Sequence, residues 1–136
     1  MDPLSIAGAS ISIAGAIGKA SLAIYHFSRE ARDATDDLSG IEAELNALRP
    51  IVDALAHSLL GPSDVPEKLV QKLQGSLEGC LLVVKQITEL VGRYSREGVW
   101  TRTKWVLVGQ GDMEKLRESL SSYKMALGLG LHFVSQ

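Results

Sequence analysis

The sequence predicts an all-α fold: a bundle of four main helices, with an apolar N-terminal helix and an extra short helix before the last long one. Three observations carry this prediction. Apolar residues recur at alternating steps of three and four through the long segments, as they must on a helix with one buried face. Gly61, Pro62 and Ser63, and later Gly109 and Gly111, punctuate the chain between segments. No strand pattern competes, because Val106 to Val108 is too short and Leu81 to Val84 continues a helical period.

The first helix is the most informative. Residues 3–18 carry no charged side chain and consist almost wholly of Ile, Ala, Gly and Ser. Asp2 and Pro3 suit an N-cap and first turn, since a carboxylate accepts orphan amides and proline has no donor to waste there. Continued to Phe27 the segment has 25 residues, a helix of roughly 37 Å at about 1.5 Å per residue, which exceeds a hydrocarbon core of about 30 Å. Lys19 is its one interruption. A lysine at the bilayer centre costs on the order of 3 kcal/mol unless its stem snorkels.

Ile6, Ile13, Ile17 and Ile24 form a heptad-like ridge. Around it Ser10, Ala14 and Gly18 recur every four residues, as do Gly8, Ser12, Ala16 and Ala20. Small residues at this spacing let backbones approach closely, and in lipid that contact drives helix association. Both a membrane role and a plain buried helix fit this composition. A secretory signal fits poorly, because no basic region precedes the apolar run.

The second helix is read from Leu38, Ile41, Leu45, Leu48, Val52, Leu55 and Leu59, the stripe of an antiparallel bundle helix. Pro50 within it removes one hydrogen bond and predicts a kink. Asp64 and Pro66 open the third helix, whose stripe is Leu69, Leu73, Leu77, Leu81, Val84, Ile87 and Val91. The last helix opens near Asp112 and presents Leu116, Leu120, Tyr123, Leu127, Leu131 and Val134, with Gly128 and Gly130 weakening its end. Between them, residues 95–110 hold a short helix around Val99 to Leu107.

That connection is a second patch of interest. Arg93, Arg96, Arg102 and Lys104 interleave with Trp100 and Trp105. Indoles favour the headgroup level and cations an anionic surface, so the patch reads as an interfacial anchor. Tryptophans that plug the end of the bundle beside solvated cations are the alternative. The opposite pole lies in residues 30–44, where Glu30, Asp33, Asp36, Asp37, Glu42 and Glu44 face only Arg32. Negative charge at a helix start explains most of these, leaving a contact with a partner or with the basic patch as the other reading.

A chain of 136 residues suits one domain with a real core. Its single cysteine, Cys80, excludes an internal disulfide and suits a reducing compartment, and its place beside the third helix's stripe makes it a small buried apolar residue. With 14 basic and 16 acidic residues the formal charge is minus 2, which argues against a general nucleic-acid binder.

Enzyme readings fail in turn. Residues 14–21, AGAIGKAS, resemble a phosphate loop, but Ile13 stands where the first glycine belongs and Ala20 replaces the magnesium-binding hydroxyl. His26, His57 and His132 lack metal-ligand spacing. The expectation is a protein without catalytic residues, metal, cofactor or small-molecule substrate.

MDPLSIAG at residues 1–8, SIAGAIGKASLAIYHFSREARDA at 12–34 and KWVLVGQGDMEKLRESL at 104–120 resemble the fungal HeLo-like N-terminal domain. That domain stands at the front of fungal STAND (NOD-like receptor) proteins and of amyloid-controlled cell-death executioners. The resemblance implies a single helical bundle over 1–136 serving as the N-terminal module of a larger protein. It further implies kinship with the four-helix executioner domain of the necroptosis pseudokinase and with plant coiled-coil resistance domains. In such relatives oligomerisation releases the N-terminal helix, which permeabilises the plasma membrane. The glycine-containing helix of the family maps onto Gly8, Gly15 and Gly18. The chain carries neither a nucleotide-binding nor an amyloid motif, and Pro50 departs from an uninterrupted helix.

The expected function is therefore membrane-acting cell death, cytoplasmic at rest and at the plasma membrane when active. Ile6, Ile11, Ile13, Ile17, Leu22 and Ile24 would exchange core contacts for lipid, anionic lipid included. Gly8, Ala14, Gly15 and Gly18 would let copies of a homo-oligomer associate. The rival is a signalling and oligomerisation adaptor that uses the same faces in water. A third possibility is a bundle that self-associates at rest through apolar faces on its first and last helices.

Overall fold

The computed structural model describes residues 3–30, 35–59, 65–96 and 109–135. They form four helices: α1 (Pro3–Glu30), α2 (Thr35–Ser58), α3 (Glu67–Arg96) and α4 (Gln110–Val134). The expected short helix around Val99 to Leu107 lies outside the described residues, as do Asp2 and Asp64.

α1 packs on α2 and α3, and α4 packs on the same two, so α1 and α4 stand diagonally opposite in the bundle. Register fixes the directions. Glu44 meets Lys124, and Ile51 lies beside Gly128, so residue numbers rise together and α2 and α4 are parallel. Gly79 lies against Tyr123 and Leu73 against Gly130, so α3 and α4 are antiparallel. α1 and α2, packed along one another with only residues 31–34 between them, run antiparallel. It follows that α1 runs parallel to α3 and antiparallel to α4.

The core is one cluster drawn from all four helices. α1 contributes Ile6, Ile13, Ile17, Ala20, Ile24 and Phe27, so the isoleucine ridge is the inner face. Ser10 is buried among them, its hydroxyl donating to the Ile6 carbonyl at 2.9 Å, which satisfies it without a partner from another helix. All seven residues of the α2 stripe are buried. Pro50 lies inside α2 without ending it, and both Pro50 and Asn46 are exposed, so the carbonyl that loses its amide can be hydrated.

α3 opens with Leu69 and Val70 amides donating to the Pro66 carbonyl. Its buried arc is wider than the expected stripe: Val70, Cys80, Val83, Leu90 and Tyr94 are buried too, while Leu69 and Leu81 are half-buried. Two neighbouring helices require two adjacent stripes. α4 begins at Gln110, before Asp112, because Gly109 takes helical angles (φ −62°, ψ −40°), and Asp112 then sits in the first turn, where its charge favours the helix. The helix also runs through Gly128 and Gly130 to Val134. Gly130 is buried against Leu73, a close approach that a side chain would obstruct.

Candidate functional site: the outward face of the first helix

α1 carries two heptad seams on opposite sides. The inner one, Ile6, Ser10, Ile13, Ile17, Ala20, Ile24 and Phe27, is buried. Offset alternately by two residues and by one, on average roughly 160° around a helix of 3.6 residues per turn, runs a second: Gly8, Ile11, Gly15, Gly18, Leu22, Tyr25 and Arg29. Its large members point outward, Ile11 and Leu22 each 58% exposed. A Cβ added at Gly8, Gly15 or Gly18 would meet nothing within 4 Å. These glycines are therefore not the close-packing positions of the folded bundle; Gly8 and Gly15 are exposed and Gly18 is half-buried, each with room beside it. Ala14 is half-buried at the seam's edge.

The expected insertion residues thus divide in two. Ile6, Ile13, Ile17 and Ile24 are core, while Gly8, Ile11, Gly15 and Leu22 are surface. Ser5–Arg29 is long and apolar enough to cross a membrane by length and composition, and about a third of its most apolar part is buried in the bundle. Among residues 5–29 the charged side chains are Lys19 and Arg29, both cationic and exposed. The Arg29 guanidinium stands 5.7 Å from the centre of the Tyr25 ring and donates to its hydroxyl at 3.4 Å. A groove of about 530 Å³ between α1 and α3 is lined by Ser12, Gly15, Lys19, Lys85, Thr88 and Glu89.

A second outward apolar surface lies on α4. Met125, Leu129 and Phe133 are 71%, 59% and 53% exposed. Leu129 and Phe133 border a groove of about 550 Å³ shared with Leu69, Leu73 and Tyr123. The apolar face expected on the last helix is this one, and the residues that compose it are signalled in the sequence by the repeat of four from Met125 to Leu129 to Phe133. Of the basic patch, Arg93 is exposed at the α3–α4 edge with Asp112 and Lys115. The Arg96 side chain and Trp100, Arg102, Lys104 and Trp105 lie outside the described residues.

One ion pair among the described residues joins two helices. Glu44, counted in the acidic pole, reaches across to α4, where the Lys124 ammonium lies 2.7 Å from its Oε2, both side chains mostly buried. That oxygen makes no aligned hydrogen bond, so charge holds the pair. Arg117 donates to Glu114 one turn earlier, and this hydrogen bond holds the Glu114 carboxyl below its ordinary range. Burial pushes the Cys80 thiol up to about 12, leaving it neutral and inert. His26, His57 and His132 are exposed on three different helices, and the His57 Nδ1 lies 2.9 Å from the Asp53 carbonyl of its own helix.

No curated protein and no solved structure matches the chain. A family model does. It covers residues 1–135, the whole bundle and both outward faces, and by that match the chain belongs to the family described as pigment biosynthesis cluster protein PigL N-terminal.

Proposed function

We propose that the chain is a non-catalytic, membrane-acting effector domain of the HeLo-like type, whose α1 leaves the bundle and enters lipid when copies are clustered. The observation that carries this is the two-sided α1. A helix of ordinary core type is charged on its outer side, whereas the exposed residues of this one before residue 25 are Ser5, Gly8, Ile11, Ser12, Gly15, Lys19 and Leu22, with Lys19 the single charge among them. The resemblance of residues 1–8, 12–34 and 104–120 to HeLo-like domains supports the same reading.

Magnitudes explain why clustering is needed. Ile6, Ile13, Ile17, Ile24 and Phe27 are fully buried. Withdrawing five such side chains from the core costs roughly 10 kcal/mol before lipid contacts offset it. One chain therefore stays closed. Joining several chains makes each further insertion intramolecular, which shifts the balance without any new contact.

The test is dye release from anionic liposomes by chains fused to an inducible oligomerisation module. Wild type is expected to leak after clustering and not before, and a Gly15→Glu variant to leak little. A Cβ at position 15 meets nothing within 4 Å, so the substitution is expected to leave the bundle folded. Equal leakage from both, or none from either, overturns the proposal. Clusters that signal yet fail to float with liposomes would favour an adaptor acting in water.

A further inference from the structure

We infer that the outer seam of α1 is also a docking surface for the outer face of α4 on a second copy of this chain, giving head-to-tail self-association in water. This contact needs no lipid, and its test is read in the absence of any membrane.

Direction comes first. α1 and α4 run antiparallel within one bundle and stand on opposite sides of it. A copy laid beside another without being turned around therefore presents α1 antiparallel to its neighbour's α4. The spacing then matches. Read from the C-terminal end, the α1 seam steps through Arg29, Tyr25, Leu22 and Gly18; the α4 face steps through Glu118, Ser122, Met125 and Leu129. Both follow steps of four, three and four, the interval at which two helices stay in contact.

Charge and size agree in that one register. Arg29 meets Glu118, the cationic end of one seam against the acidic end of the other. Leu22 meets Met125, both more than half exposed in the single bundle. Leu129, also more than half exposed, lies over Gly18, where a Cβ would meet nothing within 4 Å and a large side chain finds room. Tyr25 covers the small Ser122. Because the two surfaces differ, each chain keeps one face of each kind after pairing, so the assembly extends as a ring or a filament.

Sedimentation of the purified chain across a range of concentrations tests this, with melting curves to verify folding. Wild-type mass should rise with concentration, and Leu22→Glu and Met125→Glu should each remain monomeric at the same concentrations. An equimolar mixture of those two variants should form dimers and nothing larger, since each retains the face the other lacks. Arg29→Glu should weaken association by at least about tenfold, and adding Glu118→Arg should restore most of it. A monomeric wild type, a mixture that stays monomeric, a Met125→Glu protein that still self-associates, or a charge swap that fails to recover binding overturns the inference.

Discussion

Tyr123 on α4 lays its phenol in the space that a side chain at Gly79 of α3 would need: a Cβ there would fall 2.5 Å from Cζ and 2.7 Å from Cε1. The antiparallel α3–α4 pair meets at this point by glycine against ring. Gly75, one turn earlier on α3, has nothing within 4 Å of the same position.

The two glycines should respond oppositely to alanine. Helix propensity favours alanine by about 1 kcal/mol at either site, whereas overlap in a packed interface costs about 1–3 kcal/mol. Urea unfolding should show Gly75→Ala gaining about 0.5–1 kcal/mol and Gly79→Ala losing about 1 kcal/mol net. In a Tyr123→Leu background the Gly79→Ala loss should vanish. A gain at 79 equal to that at 75 would show that the ring yields freely.

The seams of α1 can be separated by stability. Ile13 is fully buried, so Ile13→Ala should cost about 3 kcal/mol. Ile11 is mostly exposed, and Ile11→Ala should stay within about 0.5 kcal/mol of wild type. Chemical denaturation of both variants measures the difference. Similar losses at the two positions would mean that the outer seam is covered in the folded chain.

Glu44 and Lys124 tie two parallel helices across a mostly buried contact. Removing either partner strands the other charge, so Glu44→Gln and Lys124→Met should each destabilise by about 1–2 kcal/mol. The double variant should be less harmed than the sum, with a coupling of about 1 kcal/mol in a double-mutant cycle. Strict additivity would assign the pair no role.

Cys80 should make the fold sensitive to alkali. Its thiol rises from 9.0 to about 12 in the native state because burial disfavours the thiolate. A raised native value means that the contribution is fully present below pH 9.0 and is lost as pH climbs toward 12. The slope approaches about 1.4 kcal/mol per pH unit within that window. Cys80→Val should flatten the dependence by that amount in denaturation series at successive pH values. The native thiol should also resist a disulfide exchange reagent at neutral pH, while the unfolded chain reacts at once.

The four long helices were legible in the sequence because periodicity and punctuation are local properties. The whole α2 stripe is buried as its spacing predicts, and the α1 ridge of Ile6, Ile13, Ile17 and Ile24 is buried as well. Two glycines have roles that their neighbours in sequence do not show. Gly130 looked like a weak helix end, yet it is a close contact with Leu73, and Gly109 sits beside α4 in helical conformation. A glycine's meaning depends on what approaches it, and neighbouring residues in the chain do not say.

The outward faces were harder to read for the same reason. Gly8, Gly15 and Gly18 announce a helix able to pack closely, but not whether anything packs there. Met125, Leu129 and Phe133 lie on a helix whose inner stripe already accounts for its burial.

By itself, then, the sequence determined the helices, their order and the apolar character of α1 on both sides, since side-chain spacing along 3.6 residues per turn needs no partner to define it. Only the tertiary structure decided which α1 seam turns inward, that α1 and α4 occupy opposite corners, and that Glu44 reaches Lys124. Those choices depend on the shapes of helices distant in sequence, whose combined packing selects one arrangement from several that the same periodicities allow.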